Sequence, residues 1–186
     1  MLKILEETEA LLTGHFQLTS GKHSDRYIQC AKVLQYPDRT ALLSEAMAAP
    51  FQGKGISCVV GPAMGGIIVA YEVARQLGTR ALFTERENGR MTLRRGFTLA
   101  PGEKVLVVED VITTGGSVKE VVDLVQAVGA EVVGVTCLVQ RGTGIDLGVP
   151  LVPLLSLPIA AYDPADCPLC RQGIPAVKPG SRNLQA

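Results

Sequence analysis

From Ile56 to Gln140 the chain alternates short β-branched runs with glycine turns and helical patterns: ISCVV, GPAMGG, IIVAYEVARQLG, ALFT, then KVLVVE, DVITTGGS, VKEVVDLVQAVGA and EVVGVTCLVQ. The strand-like runs are apolar at successive positions, so both of their faces need cover, which a parallel sheet flanked by helices supplies. Connections of this kind cross over right-handed. The repeating pattern therefore predicts an α/β fold with its loops gathered at the sheet edges.

The two ends follow other rules. Leu2, Leu5 and Leu12 fall on one helical face among Glu6, Glu7 and Glu9, and Gly14 is a suitable stop, so the spacing predicts one amphipathic helix there. Pro37 and Asp38 open a second helical stretch towards Pro50. After Gly148, prolines at 150, 153, 158, 164, 168, 175 and 179 exclude a long helix or a central strand, so the tail is expected to wrap the surface. With 186 residues, 47% hydrophobic and 19% charged, and no internal repeat, the chain reads as one domain, 1–186, and not as a disordered segment. Eighteen basic residues balance eighteen acidic ones, which removes any global field for nucleic acid. No apolar run approaches the roughly 18 residues of a membrane span, and the start carries acids, so a cytoplasmic protein is expected. Five cysteines (Cys30, Cys58, Cys137, Cys167, Cys170) form no secreted disulfide pattern.

The most informative loop is VLVVEDVITTGGSV, residues 105–118, where a buried run ends in two acids and passes through Thr-Thr-Gly-Gly-Ser into a helix. Gly115 and Gly116 let amides converge on an anion, Thr113, Thr114 and Ser117 add hydroxyl donors, and the following helix turns its positive end to the same point. Glu109 and Asp110 suit the vicinal hydroxyls of a ribose. The combined target is a ribose 5-phosphate. The plainer alternative is a capped strand-to-helix turn with exposed acids. GTGIDLG, 142–148, precedes no helix and reads as a loop.

Arg86, Arg90, Arg94 and Arg95 lie within ten residues whose only acid is Glu87, with Gly89 and Gly96 as flex points. Guanidinium groups fork onto phosphate oxygens, so the stretch reads as a cationic lid, or else as a solvated hairpin. GPAMGG offers free amides at the same sheet edge as Glu109 and Asp110, or tight packing of helix on sheet. His15 and His23 have no second ligand at metal spacing, so no bound transition metal is expected; His15 reads as structural and His23 as touching substrate. Cys167 and Cys170 read as structural, with a zinc site shared between subunits as the alternative.

VVEDVITTGGS resembles the phosphoribosyl-diphosphate motif of the type I phosphoribosyltransferases. GHFQLTSGKHSDRYI (14–28), GPAMGGI (61–67), ERENGRMTLRRGF (85–97), Arg141 and the tail DCPLCRQGIPAVKPGSR are similar to segments of the orotate phosphoribosyltransferases, so the resemblance covers nearly the whole chain. It implies the type I phosphoribosyltransferase fold: a parallel twisted sheet flanked by helices, with a small hood built from the N-terminal segment and the C-terminal tail. It also implies transfer of phosphoribosyl to orotate, with Mg²⁺ brought by the donor. The resemblance assigns catalytic roles to Arg86, Glu109 and Asp110. Donor binding falls to Arg86, Arg90, Glu109, Asp110, Val111, Ile112, Thr113, Thr114, Gly115, Gly116 and Ser117, with Gly61 to Gly66 as a second anion loop. Thr113 and Arg141 would hold orotate, helped by the donor-rich Thr19, Ser20, Lys22, His23 and Ser24. Some members carry Lys where Thr19 and Gly65 stand here. No residue is implied as a certain metal ligand. Family members are usually homodimers whose mobile loop reaches the partner's site; no nucleic-acid or membrane partner is implied. The alternatives are a phosphoribosyltransferase for another base and a non-catalytic regulator that binds phosphoribosyl diphosphate.

Overall fold

A computed structural model describes residues 1–18 and 20–179. Its frame is a six-stranded sheet of β3 (Cys58–Pro62), β4 (Arg80–Glu87), β5 (Arg90–Leu93), β6 (Lys104–Ile112), β7 (Glu131–Gln140) and β8 (Leu151–Ser156). The strand order is β5-β4-β3-β6-β7-β8. All neighbours are parallel except β4 and β5, which form an antiparallel hairpin.

The strands alternate between two cores, as a two-residue period requires. Val59, Leu106 and Val108 join one cluster, with Val69, Ala70 and Val73 of α4 (Gly65–Leu77). Cys58, Val60, Val105 and Val107 join the other, with Val118, Val121, Val122 and Val125 of α5 (Gly116–Ala127). Those four valines sit at i, i+3, i+4 and i+7, so one stripe of α5 is dry and the rest meets water. Each buried valine contributes about 1.5–3 kcal/mol over leaving it exposed. α3 (Pro37–Ala48) begins at the expected proline, and the chain then passes through a 3₁₀ turn at Ala49–Phe51. β8 tolerates Pro153 because it is an edge strand.

The amino-terminal expectation needs correction. The helix α1 spans only Leu2–Glu7, and β1 (Leu11–Gln17) runs straight through Gly14 to pair antiparallel with β2 (His23–Ile28). Glu9 takes a positive φ of 55° and turns the chain out of the helix before Leu12 can join its face. Leu12 pairs with Tyr27 instead.

The tail wraps this hairpin. Gln17 N donates to Val177 O and Val177 N to His15 O, each at 2.8 Å, while His23 and Tyr162 exchange backbone hydrogen bonds at 2.9 and 2.7 Å. The short helices α2 (Ala31–Leu34) and α6 (Pro168–Arg171) complete the order. Among the described residues no helix is long and apolar enough to cross a membrane.

Candidate active site

β3 and β6 are adjacent, yet the crossover from β3 leads through α4 to β4 on one side and that from β6 leads through α5 to β7 on the other. A sheet that winds both ways from neighbouring strands leaves a crevice beyond their carboxyl ends. Both glycine loops open there. A Cβ built on Gly65 would overlap the Asp110 carboxylate, and one on Gly66 would stand 3.2 Å from Glu109 Oε1. The loop 61–66 therefore lies directly against the acid pair, and Gly65 is what allows Asp110 its place.

β6 carries Glu109, Asp110, Val111 and Ile112, so these four stand in the strand and the turn proper is Thr113 to Gly115. Gly115 adopts a φ of 83°, a left-handed value natural for glycine, and α5 starts immediately after it with no side-chain cap. The first-turn amides of α5 thus lack a side-chain acceptor and, with the helix dipole, favour an anion. A cavity of about 150 Å³ opens at this point, lined by Glu109 and residues 111–118. The GTGIDLG loop supports the turn from behind. Ile145 would stand 2.8 Å from a Cβ on Gly115, and a Cβ on Gly142 would overlap the Thr113 carbonyl.

Glu109 is buried, while Asp110 is half-buried. Asp110 N donates to Glu109 Oε1 at 3.1 Å, and Val111 N donates to Asp110 Oδ1 at 2.7 Å. Burial, reinforced by the adjoining Asp110 carboxylate, pushes the Glu109 carboxyl up to about 9. Such a group gains from a cation or from hydroxyl donors brought against it.

A second cavity, of about 690 Å³, adjoins the first and shares Val111, Thr113 and Thr114 with it. Its other walls come from the hairpin (Gln17, Ser20, Lys22, Tyr27), from Arg141 and Gly142, and from the tail (Ile159, Ala161, Lys178, Pro179). Three cations line it and, among the described residues, no carboxylate does. Arg141 enters at the end of β7, tied by its backbone N to Ile112 O at 2.8 Å. Its Nε is buried without a hydrogen-bond partner among the described residues, and burial pulls the guanidinium below the usual arginine range. A buried donor left without a protein partner, in a cavity lined by three cations, is prepared for an anionic ligand.

The expected residues divide accordingly. Glu109, residues 111–117, Arg141, Ser20 and Lys22 line the two cavities, whereas Asp110 and loop 61–66 line neither and pack against each other beside Glu109. Ser24 does not: it is fully buried and its Oγ donates to Ala160 O at 2.8 Å. His23 is likewise absent from the lining and packs against His15 and Cys170. Thr19 lies outside the described residues.

The arginine-rich stretch is the hairpin β4–β5, turned at Asn88 and Gly89. Three of its four arginines are paired. Arg86 makes a bidentate pair with Glu120 on α5 at 2.9 and 3.1 Å, Arg95 pairs with Glu85 at 2.8 Å, and Arg94 with Glu87 at 3.5 Å. Arg90 forms no ion pair among the described residues. Glu120 and Glu85 lie on other segments or just before the arginine run, which is why counting acids inside the run missed them. Sequence reasoning also missed Lys178; a lysine in a proline-rich tail carries no local signal of the cavity it reaches.

Comparison with known proteins places this geometry. A family model described as the phosphoribosyl transferase domain matches residues 36–147. The orotate phosphoribosyltransferase of Pelotomaculum thermopropionicum is 62% identical over 185 residues, covering 99% of this chain and 97% of that one. That of Desulforamulus reducens is 60% identical over the same share of each. The crystal structure of orotate phosphoribosyltransferase from Aeropyrum pernix matches with a TM-score of 0.73 at 28% identity, covering 84% of this chain and 94% of that one. The crevice at the β3–β6 switch, the acid pair above the glycine turn and these end-to-end matches agree, and the chain belongs to the phosphoribosyltransferases, on their orotate branch.

Proposed function

We propose that the protein transfers the phosphoribosyl group from 5-phospho-α-D-ribose 1-diphosphate to N1 of orotate, giving orotidine 5′-phosphate and diphosphate. The observation that carries this reading is the pairing of a small cavity at an uncapped helix N-terminus with a larger one holding Lys22, Arg141 and Lys178 and, among the described residues, no acid. Orotate is a carboxylate, and an uncharged base has no use for a half-buried guanidinium whose buried Nε has no partner among the described residues.

Residues 113–117 hold the 5-phosphate through amides and hydroxyls, and Glu109 and Asp110 accept the ribose hydroxyls. Loop 61–66 faces the diphosphate from beside the acid pair. As the C1–oxygen bond to diphosphate lengthens, C1 becomes electron-poor, and the Asp110 carboxylate and the pre-placed orotate nitrogen stabilise it. The nitrogen forms the new bond to C1 while the bonding pair leaves on the diphosphate oxygen, so no covalent enzyme intermediate is needed. Mg²⁺ brought with the donor would supply charge neutralisation on the diphosphate, and the buried Glu109 and half-buried Asp110 would be the oxygen partners suited to it.

Arg86 grips the diphosphate once it exchanges Glu120 for phosphate oxygens, with Arg90 beside it. We place this exchange in a homodimer, with the hairpin of one subunit closing on the site of the other. One catalytic domain, 1–186, performs the reaction. Five cysteines free of disulfides, four of them buried, support a reducing, cytoplasmic location.

The test follows the loss of orotate absorbance with donor and magnesium, with adenine, hypoxanthine and uracil as controls. Turnover of orotate alone is expected. Consumption of a purine or of uracil with orotate untouched makes this an enzyme for another base; donor binding without any turnover makes it a regulator.

A further inference from the structure

One cluster takes no part in the site above. The hairpin and the tail bring His15 of β1 and His23 of β2 against Cys167 and Cys170, and the four donor atoms all lie within 4.8 Å of one another. His15 Nε2 stands 2.8 Å from His23 Nδ1, 3.5 Å from Cys167 Sγ and 3.8 Å from Cys170 Sγ; Cys170 Sγ is 3.3 Å from His23 Nδ1. Zinc bound tetrahedrally by two sulfurs and two imidazole nitrogens sets its ligand atoms roughly 3.3–3.8 Å apart. Three of the four contacts already have that spacing, and the two histidines need to part by roughly 0.5 Å.

Hydrogen bonding alone does not account for the convergence. His15 Nδ1 lies 2.6 Å from Ile174 O, so it donates its proton there and Nε2 keeps a lone pair. That one lone pair faces an imidazole and two thiols and can accept from only one of them. His15, His23 and Cys167 are buried, so water does not relieve the crowding.

We propose that His15, His23, Cys167 and Cys170 bind one zinc ion within a single chain, as a closed structural centre that clamps the hairpin to the tail. On binding, both thiols release their protons, and the two thiolates balance the charge of the ion, leaving a neutral site. The Ile174 carbonyl holds His15 in the ligating tautomer. Four protein ligands leave no open position, so the centre is structural and not hydrolytic.

Its position states what it stabilises. The tail meets β2 at Ala160 and Tyr162 and meets β1 at Val177, and the two cysteines lie between these contacts. Ile159, Ala161, Lys178 and Pro179, on either side of the clamp, line the larger cavity. Zinc thus fixes the hood over that cavity. The sequence expectation that neither histidine has a second ligand at metal spacing is corrected by this geometry: the four donor groups come from three separate segments, and spacing along the chain cannot reveal them.

Metal analysis of untagged protein purified without chelators is expected to find zinc equimolar with the chain. Exchange with Co²⁺ should give the intense visible bands and thiolate charge-transfer absorption of a tetrahedral S₂N₂ centre. Cys170 is exposed, so Cys170→Ser should keep its circular dichroism, lose most of its zinc, and exchange amide hydrogens faster over 159–177. The KM for orotate should rise more than that for the donor; this last readout rests on the reading of the larger cavity as the acceptor site, whereas the zinc content does not. Protein that contains no zinc and takes up neither Zn²⁺ nor Co²⁺ on titration overturns the proposal. So does a zinc content that is unchanged in both Cys170→Ser and His15→Asn.

Discussion

Replacing Glu109 by glutamine removes one titrating proton from the interior and leaves the shape of the side chain nearly unchanged. Glu109 is 8% exposed, and its carboxyl is raised from an ordinary 4.5 to about 9 by burial and by Asp110 beside it. Between those two values the unfolded chain has released this proton and the folded chain retains it. The contribution to stability is therefore fully present below the unfolded pKa and is lost as pH rises towards the folded one. One proton bound only in the folded state gives a slope of about 1.4 kcal/mol per pH unit, hence about 3 kcal/mol between about pH 6 and about pH 8. Urea denaturation of both proteins, free of donor and magnesium, reads this difference directly. The wild type should lose about 3 kcal/mol more than Glu109→Gln across that window, and the two pH dependences should become parallel below the unfolded pKa of 4.5. Equal slopes in the two proteins refute the reasoning, because they mean that Glu109 is already ionised inside the folded chain.

Other perturbations address the remaining parts of the site. Arg141→Ala should raise the KM for orotate by about 10- to 100-fold, the worth of a charged hydrogen bond, and that for the donor much less; an equal rise in both removes Arg141 from the acceptor cavity. Gly65→Ala places a methyl group where the Asp110 carboxylate now lies, so turnover should fall by at least about tenfold while circular dichroism is unchanged; wild-type kinetics contradict the packing of loop 61–66 on the acid pair. Arg86→Ala should lower turnover by at least about tenfold, on the order of 1.4 kcal/mol. Mixing that variant with Asp110→Asn, Glu109→Gln subunits should restore up to about a quarter of wild-type activity, since half of the dimers then carry one complete site; no recovery assigns the hairpin to its own subunit.

The parallel sheet was legible because β3, β6 and β7 are apolar on both faces, a local property that tertiary context did not override. The phosphate turn was legible for a similar reason: Glu109 to Ser117 is one continuous segment whose residue types act together. What the sequence concealed is what depends on distant segments meeting. Leu12 fits a helical face with Leu2 and Leu5, yet its pairing with Tyr27 across the hairpin decides its conformation. Arg86 looks free until α5 delivers Glu120. Lys178 reaches the acceptor cavity only because Val177 is tied to β1. His23 and Ser24, grouped with the substrate donors by their proximity to Lys22, alternate in side-chain direction along β2 with tail partners waiting for them, and both are used up in holding the hood.

The central claim is that Glu109, Asp110 and the turn from Thr113 to Ser117 together hold one sugar phosphate. A crystal structure with phosphoribosyl diphosphate and magnesium bound tests it most directly. The 5-phosphate is expected on the amides and hydroxyls of residues 113–117, with the ribose hydroxyls on Glu109 and Asp110. Donor bound elsewhere, with that turn vacant and both acids directed away from the sugar, contradicts it.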